Sequence, residues 1–448
     1  MQVNQSTDYK IISLYITTRK GDKIDIKNFF NELNIFDTIF MSSVSGHVFI
    51  NDAVGMLHKL KFNGSEAISI EIGKDENNLI YKNKFRIYKV TDRKNVNQTS
   101  EIYLLHFISD EYIFSLQQKI NQWYVGTYDK IAARIAKDYL DLNQINGDQS
   151  FGIKNFIVPN LNPIEALTWM SKRAVDRNNQ PNFLFFQNRL GYNFVSLIEL
   201  LKQPVVAKIN FNPKNLSGDI NKNSTSTEFL GARDFKTINQ FDFIETINSG
   251  SYAGRFQGFD PITRSLTYYD YDYVKMLSPD KIALGDVKST VVIAKDKSRN
   301  TENYETRKVL SPFESFREKS EYIKKRTATI DYNGQKLLPD NPEYYLLQRR
   351  SILKKFLDTR VRVVVPGNFN LSAGMNVNLR VPKRGFIENP TNAEDPTLDV
   401  NYMIVSTRHI ITAVKHETIF EACTEFTSIK DNSESVAPTA EIESPIYA

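Results

Sequence analysis

Residues 68–72 read Ile-Ser-Ile-Glu-Ile and residues 103–107 read Tyr-Leu-Leu-His-Phe, so an apolar side chain returns at every second position in both stretches. Successive side chains of a β-strand point to opposite faces of the sheet, and this period therefore indicates half-buried strands. Together with four further runs, these stretches predict an antiparallel β-barrel or sandwich in residues 1–112. The further runs, separated by turns that contain Gly, Asn and Asp, lie at residues 12–16, 24–26, 44–50 and 85–87.

One stretch of this first domain interrupts the alternation of apolar and polar residues. Residues 27–40 are too many for a tight turn between two strands. We predict a short helix here, with Phe29, Phe30 and Leu33 facing inward.

The middle of the chain, residues 113–204, changes to the period of helices. Asn162-Pro163-Ile164-Glu165 combines an Asx cap, a proline at the first helical position and a glutamate in the first turn, and it predicts a helix start. Residues 183–194 indicate a hairpin, and residues 196–201 a short helix. Thr127 predicts a second N-cap, before a helix whose buried face carries Tyr128, Ile131, Ile135 and Tyr139.

Residues 205–330 are predicted to continue this middle region with pieces of strand and a helix at residues 238–250. The run Tyr268-Tyr269-Asp270-Tyr271-Asp272-Tyr273 is typical of a strand with one acidic edge. Residues 285–312 are polar and charged without periodicity, which predicts a long exposed loop.

A second strand-rich domain is predicted in residues 331–428, where a helix from Asn341-Pro342 to Phe356 precedes the strands. Residues 429–448, rich in Ser, Glu and Pro, predict a disordered acidic tail. The fold class is therefore α+β and mainly β, with two similar antiparallel β-barrel (tube-like) domains flanking a mixed α/β middle region. The strands of the second domain are predicted near residues 361–365, 377–381, 402–404, 409–412 and 418–426.

Composition limits the classes of protein that this chain can belong to. Its 448 residues favour two to four domains, and 41% hydrophobic residues are enough to form their cores. The net charge of +5 comes from 57 basic and 52 acidic residues, a balance that does not indicate nucleic-acid binding. The longest apolar runs, such as Val363-Val364-Val365, are too short to cross a membrane. With no signal-like N-terminus and Cys423 as the only cysteine, we expect no intrachain disulfide and assembly in a reducing cytoplasm.

The histidines and the cysteine do not match motifs for metal binding or nucleophilic catalysis. His47, His58, His106, His409 and His416 include no HExxH or comparable spacing. His409 and His416 can meet across a hairpin, but we favour ordinary strand residues on a surface or core edge over metal ligands. Cys423 lies in a strand-like run, where a small hydrophobe is favoured over a nucleophile.

Other motifs lead to the same conclusion, that no catalytic, cofactor-binding or metal residue can be assigned. The chain has no phosphate-binding glycine motif, and Gly250-Ser251-Tyr252-Ala253-Gly254 has its serine one place too early for a nucleophile elbow. Asp270 and Asp272 favour a solvated acidic edge over a cation site. A glycosidase with two carboxylates stays open, since it needs no linear motif. Solvated faces are favoured over a polyanion patch for the basic groups Lys324-Lys325-Arg326, Arg349-Arg350, Lys354-Lys355 and Lys383-Arg384.

Four groups of residues, taken in their order along the chain, resemble the baseplate central hub proteins of T-even-like contractile-tailed bacteriophages. The tube-like barrels of that family are similar to those of secretion-system spike proteins. The resemblance spans roughly residues 9–428, although residues 285–312, residues 388–396 and the acidic tail do not match. The groups are Phe36-Asp37-Thr38-Ile39-Phe40 with Val44-Ser45-Gly46-His47-Val48-Phe49-Ile50-Asn51-Asp52 and residues 57–62; Val158-Pro159-Asn160-Leu161-Asn162-Pro163-Ile164-Glu165-Ala166 with Trp169, Lys172-Arg173-Ala174 and residues 183–194; Asn248-Ser249-Gly250-Ser251-Tyr252-Ala253 with Tyr271-Asp272-Tyr273; and Leu371-Ser372-Ala373-Gly374-Met375-Asn376-Val377 with Tyr402-Met403-Ile404-Val405.

This resemblance implies a structural protein rather than an enzyme, without cofactors. It implies a homotrimer whose two barrels per subunit surround a channel as six similar units and join the six-fold tail tube to the three-fold central spike. The implied partners are the central spike protein, tail tube or tube-initiator proteins and the tape measure protein, with DNA passing through the channel without specific binding. The implied location is the phage tail baseplate in the virion, after assembly in the host cytoplasm. Because phosphate contacts would retain the DNA, we expect no continuous band of basic groups along the channel.

Two other functions remain open at this point. A phage-tail hydrolase of cell-wall glycan would need a raised-pKa carboxylate beside an ionised one. An envelope-binding adhesin is supported only by the aromatic content of 12%.

Overall fold

A computed structural model describes residues 10–60, 62–73, 79–97, 99–177, 180–211, 229–240, 242–251, 253–260, 264–272, 307–312, 331–332, 335–336, 342, 344–382 and 398–424. The molecule is mainly β, as predicted, and its largest feature is a sheet of 14 strands. None of the helices in these ranges is long and apolar enough to cross a membrane.

The N-terminal β unit consists of residues 10–109. Alternate side chains of its strands, among them Leu14, Ile70 and Phe107, pack into one core with less than 2% of each exposed. This is the alternation predicted from the sequence. Its elements are β1 (Lys10–Thr17), β2 (Lys23–Asp25), β3 (Phe30–Thr38), β4 (Ser45–Asp52), α1 (Met56–Leu60), β5 (Ala67–Gly73), β6 (Leu79–Asn95) and β7 (Glu101–Ser109).

The helix predicted in residues 27–40 is wrong, because this stretch contains β3. Phe30 and Leu33 do face the core, but on a strand that is paired along both edges. One edge pairs with β4, and the other pairs with a strand more than 360 residues away in the chain. Such non-local pairing overrides a local pattern that does not alternate cleanly.

The middle unit, residues 110–202, packs two helices against a hairpin. Both predicted helix starts and the predicted hairpin are confirmed. Asn162 and Glu165 form a reciprocal capping box at α4, and Ile131 and Ile135 of α3 are buried against it. The elements are α2 (Asp110–Leu116), β8 (Trp123–Gly126), α3 (Tyr128–Leu140), β9 (Asn146–Gly147), β10 (Lys154–Ile157), α4 (Pro163–Arg173), β11 (Phe183–Asn188), β12 (Gly191–Ser196) and α5 (Leu197–Lys202).

The remaining chain returns to the large sheet and adds a smaller one. The strand predicted around the tyrosine run is confirmed, while the helix predicted at residues 238–250 begins only at Phe243. Residues 307–312 of the predicted exposed loop form a strand that pairs parallel to β16, so the loop prediction is wrong there; residues 285–306 and the tail at 429–448 lie outside the described residues. The elements are β13 (Val205–Asn210), β14 (Phe229–Gly231), β15 (Asp234–Asn239), α6 (Phe243–Asn248), β16 (Ala253–Asp260), β17 (Ser265–Asp272), β18 (Arg307–Pro312), β19 (Asp331–Tyr332), β20 (Gln335–Lys336), a π-helical turn (Tyr344–Gln348), α7 (Arg349–Phe356), β21 (Thr359–Pro366), β22 (Asn376–Arg380), β23 (Asn401–Thr412) and β24 (His416–Thr424).

The C-terminal β unit is formed by β13, β14, β15 and β21 to β24. Strand β13 pairs with β14 and β22, and β15 pairs with β21, although β13 to β15 lie in residues predicted to continue the middle region. The division of the chain into domains stays a prediction. Val363, Val377 and Ile404 belong to the buried core of this unit.

The two β units share one order of strand pairing. In the N-terminal unit it runs from β1 to β2, continues from β3 to β4, β7, β6 and β5, and returns to β1. In the C-terminal unit it runs from β13 to β14, continues from β15 to β21, β24, β23 and β22, and returns to β13. The one difference in direction is at the first strand, since β13 runs parallel to both neighbours and β1 antiparallel.

Two separate closed barrels are not found among the described residues. Regular pairing is interrupted at residues 26–29, between β2 and β3, and at residues 232–233, between β14 and β15. In addition, β3 pairs with β23, which joins both units into one sheet. The fold prediction is therefore confirmed for its mainly β character and its large antiparallel sheet, but not for two closed barrels.

Candidate functional site

The candidate functional site is the junction between the two β units, where side chains hold the units together. We define the seam as the antiparallel pair of β3 and β23, with a register from Thr38 opposite Ser406 to Glu32 opposite Thr412. The backbone N–H of Ile39 extends the ladder by donating to the carbonyl oxygen of Val405 at 2.9 Å. The two units are thus held edge to edge by main-chain hydrogen bonds.

A buried carboxylate crosses the seam. Asp37 on β3 accepts hydrogen bonds from the hydroxyls of Ser372 and Thr407, which belong to the other unit. Burial raises the pKa of the Asp37 carboxyl, and the hydrogen bonds oppose that rise. A buried carboxyl is costly without such partners, so this triad favours one register of β3 on β23.

A second polar group lies on a more exposed part of the seam. Arg408 Nε donates to Asn34 Oδ1 at 2.8 Å, and Arg408 Nη2 lies 3.6 Å from Glu32 Oε1. The guanidinium also lies 5.7 Å from the centroid of the Phe36 ring. Asn34 Nδ2 in turn lies 3.1 Å from His47 Nε2, so the network continues onto β4.

The middle unit fastens both sides of the seam through two consecutive residues of β11. Gln187 Oε1 accepts hydrogen bonds from the backbone N–H of Val44, at 2.8 Å, and from the hydroxyl of Ser109, both in the N-terminal unit. Asn188 Nδ2 donates to the carbonyl oxygen of Ala373 in the C-terminal unit at 2.9 Å. Because side chains of adjacent strand residues point in opposite directions, one strand reaches both units.

Apolar packing beside these hydrogen bonds completes the junction of the three units. Phe186 of the middle unit, Ile39 of the N-terminal unit and Met403 of the C-terminal unit belong to one buried cluster. Asn376 Nδ2 donates to the carbonyl oxygens of Leu200 and Gln203 at 2.8 Å each, which satisfies acceptors at the end of α5.

The five histidines contribute to packing and hydrogen bonding. His409 Nδ1 and His416 Nε2 lie 3.3 Å apart in the core of the C-terminal unit, so the two residues meet across the hairpin. His47 and His106 are cross-strand neighbours on β4 and β7, and burial lowers the pKa of both. His58 contacts Arg93 at 3.0 Å on the surface. Within the described residues, no three His, Cys, Asp or Glu side chains cluster in a way that could hold a metal ion.

The other candidate nucleophiles and the candidate cation ligand Asp270 are buried or form pairs with neighbouring side chains. Cys423 is fully buried, and burial raises the pKa of its thiol to about 12, which disfavours a reactive thiolate. Ser251 is buried, with its Oγ 2.7 Å from Ser249 Oγ. Asp270 pairs with Arg255 through two hydrogen bonds of 2.6 and 2.8 Å. The side chain of Asp272 lies outside the described residues.

The prediction of solvated faces is wrong for Arg349, while Arg350 beside it is exposed as predicted. Arg349 donates to the carbonyl oxygen of Pro181 at 3.1 Å, and burial lowers the pKa of its guanidinium to about 10. Lys354 forms an ion pair with Glu245 at 2.6 Å. The groups at residues 324–326 and 383–384 lie outside the described residues, so the absence of a basic band stays a prediction.

The sequence pattern does not identify Asp37, Gln187 or Asn188 as junction residues. A weak signal was present, because each is a polar residue inside or beside an apolar strand. The hydrogen-bonding partners of these three side chains, however, lie between 78 and 370 positions away in the chain. Alternation along one strand carries no information about such distant partners.

Comparison with family models and with curated protein sequences gives no match. Among solved structures, the fold is similar to the 43 kDa tail protein of prophage MuSo2 from Shewanella oneidensis, at 9% identity and a TM-score of 0.50, over 92% of this chain and 97% of that chain. A tail protein from Neisseria meningitidis matches at 10% identity and a TM-score of 0.48, over 93% and 96%. A type VI secretion system component of E. coli, described as similar in structure to the T4 tail proteins gp27 and gp5, matches at 7% identity and a TM-score of 0.43, over 96% and 80%. The chain therefore has the fold of a phage tail protein, and the resemblance inferred from its sequence is confirmed at the level of the fold.

Proposed function

We propose that this chain is a structural baseplate hub protein of a phage tail, and that it forms a homotrimeric ring with a channel. The observation that carries the proposal is the repeated order of strand pairing in two units joined by the seam. Three copies of such a chain present six similar β units to a six-fold tail tube. The same three copies present three equivalent surfaces to a three-fold central spike.

Closure explains why a hub needs no reactive centre. Cyclic symmetry repeats one contact between unlike surfaces until no open surface remains. In such a ring, the buried polar residues at the junction would hold the two β units of each chain at a constant angle. Asp37, Gln187 and Asn188 have their hydrogen-bonding partners in neighbouring units, as a rigid building block requires.

The proposed partners are a second and third copy, the central spike protein, tail tube or tube-initiator proteins and the tape measure protein. The fold of a phage tail protein supports a place in the virion, in the tail baseplate, after assembly in the host cytoplasm. DNA would pass through the channel without specific binding, in keeping with the nearly balanced charge of the chain.

Mass determination tests the proposal. The purified chain, alone and co-expressed with the spike and tube genes of its own tail cluster, is analysed by size-exclusion chromatography with light scattering. We expect the mass of three 51.6 kDa chains, with the spike or tube protein in the same peak when co-expressed. A chain that stays monomeric in the presence of both partners contradicts the proposal.

Activity assays on the same preparation test the two open alternatives. We expect no clearing in a peptidoglycan zymogram and no retention on host envelopes by the isolated chain. Clearing would favour a cell-wall glycan hydrolase, and retention without other tail proteins would favour an envelope-binding adhesin.

A further inference from the structure

Strands β23 and β6 occupy equivalent positions in the two β units, but β23 pairs with more strands than β6 does. In the C-terminal unit, residues 401–403 of β23 pair with β22, and residues 406–412 then pair with β3 along the same edge. In the N-terminal unit, residues 79–86 of β6 pair with β5. Beyond residue 87, no strand of the described chain pairs with that edge of β6, whereas β7 continues along the other edge.

The same comparison holds for the strand that approaches from the other unit. β3 pairs with β4 along one edge and with β23 along the other. Its equivalent, β15, pairs with β21 along one edge, and its other edge carries no strand within the described residues. The seam thus uses one of two equivalent pairs of edges, and within the part of the chain that the structure describes the second pair carries no strand.

A bulge marks the change of neighbour on both long strands. On β23 the register shifts between Ile404 and Ser406, where β22 ends and β3 begins. On β6 the register shifts between Ile87 and Lys89, directly after the last pair with β5. A bulge bends a strand and increases its twist, which turns it away from one neighbour and toward another. The β6 edge is therefore shaped like the edge that β3 occupies on β23.

The side chains along the open edges of β6 and β15 also favour pairing with a strand of another chain. On β6, Tyr88 is 50% exposed beside the exposed Lys89. On β15, Ile238 is 41% exposed and shares a face with the exposed Asp234 and Lys236. An exposed strand edge invites pairing with another chain, and apolar side chains beside it gain from burial.

We infer that β15 of one copy pairs antiparallel with residues 88–91 of β6 in a neighbouring copy, repeating between chains the seam formed by β3 and β23 within a chain. This inference rests on the proposed homotrimer and names the contact that closes it. The C-terminal unit of each copy would join the N-terminal unit of the next, and all six joins in the ring would use equivalent strands. On β6 the register against β7 shifts a second time between Thr91 and Lys94, and this bulge marks the end of the stretch that we assign to the neighbouring copy.

Cross-linking tests the contact in the full chain. The variant K89C/K236C is treated with a short bismaleimide, which tolerates small differences in register, and K89C and K236C alone serve as single controls. A third control, K89C/K137C, places the second thiol on the exposed side of α3. We expect covalent dimers and trimers on denaturing gels from K89C/K236C, with at least tenfold less product from each control.

A surface variant provides the second measurement. Ile238→Lys adds a charge to the β15 edge, and Ile244→Lys adds the same charge at a 74% exposed position on the nearby α6. We expect the trimer of I238K to dissociate at a protein concentration at least tenfold higher than that of I244K, with both chains folded by circular dichroism. A trimer that resists I238K and yields no K89C/K236C product overturns the inference while leaving the proposed function intact. A wild-type chain that is monomeric with its partners present contradicts both.

Discussion

His409 and His416 lie side by side in the core of the C-terminal β unit, with Nδ1 of His409 3.3 Å from Nε2 of His416. The ring of Phe369 covers both, with centroid distances of 4.5 and 4.6 Å. Burial lowers the pKa of His409 to about 3 and also lowers the pKa of His416 well below its usual value. Both rings are therefore neutral in the folded protein at neutral pH.

This pair predicts a loss of stability in mild acid. Below pH 6.5 the unfolded chain binds protons on both histidines, while the folded chain does not until much lower pH. The free energy of unfolding therefore falls as pH decreases below 6.5, by about 1.4 kcal/mol per pH unit for each histidine that stays neutral in the folded chain. Denaturant unfolding at pH 7.5, 6.0 and 5.0 measures this slope.

The variant His409→Gln/His416→Gln removes both groups and should show a shallower slope over the same pH range. Asp37 acts in the opposite direction, because its raised pKa favours proton uptake by the folded state as pH falls. If the double variant cannot be folded, NMR of ¹³C-labelled histidine rings provides the check. Titration of the His409 and His416 rings near pH 6.5 in the folded protein would contradict the prediction.

Gly374 illustrates how the junction depends on close packing. Its φ of +87° belongs to the left-handed region, and a Cβ at this position would lie 2.9 Å from Cζ of Phe186. We expect Gly374→Ala to lower the free energy of unfolding by about 2 kcal/mol or more, from backbone strain and overpacking together. Gly64→Ala is a matched control, since its φ is +89° but nothing lies within 4 Å of the added Cβ. Chemical denaturation of both variants should show the larger loss for Gly374→Ala.

Local patterns were sufficient to predict most individual elements. The capping box at Asn162 and the alternation in β5 and β7 depend on neighbours within a few residues, and their predictions are confirmed. The helix expected in residues 27–40 failed because β3 derives its stability from β4 and β23, on its two edges. Residues 205–210 gave no indication that β13 would run parallel between β14 and β22.

The candidate site was much harder to predict than the elements. Asp37 lies inside a stretch that the sequence singled out, but its partners Ser372 and Thr407 are more than 330 residues away. The charge of Arg349 predicts a solvated residue, although its guanidinium is buried against the Pro181 carbonyl. In both cases the deciding factor is tertiary burial, which composition and periodicity do not encode for single residues.

The two helix starts of the middle unit predict unequal effects of cap removal. Asn162 accepts a hydrogen bond from the backbone N–H of Glu165 at 2.9 Å and also bonds the buried Ser115 hydroxyl. Thr127 occupies the equivalent position at α3 but forms no side-chain cap bond. We expect Asn162→Ala to cost about 1 to 2 kcal/mol and Thr127→Ala clearly less. Thermal unfolding of both variants measures the difference, and equal shifts in Tm would contradict the assigned roles.

The last prediction concerns the seam itself. Thr407→Val keeps the volume of a buried side chain but removes the hydroxyl that donates to Asp37. The carboxyl then has one side-chain donor fewer in a buried site, and we expect a loss of about 1 to 3 kcal/mol in the free energy of unfolding. Thr412→Val is the control, because its hydroxyl bonds only the exposed turn at Lys415, and a change within about 0.5 kcal/mol is expected. If the loss from Thr407→Val comes from the buried carboxyl, it should shrink at low pH, where Asp37 becomes protonated. A loss that does not shrink as pH falls would instead mean that packing, and not the Asp37 hydrogen bond, is what Thr407 contributes.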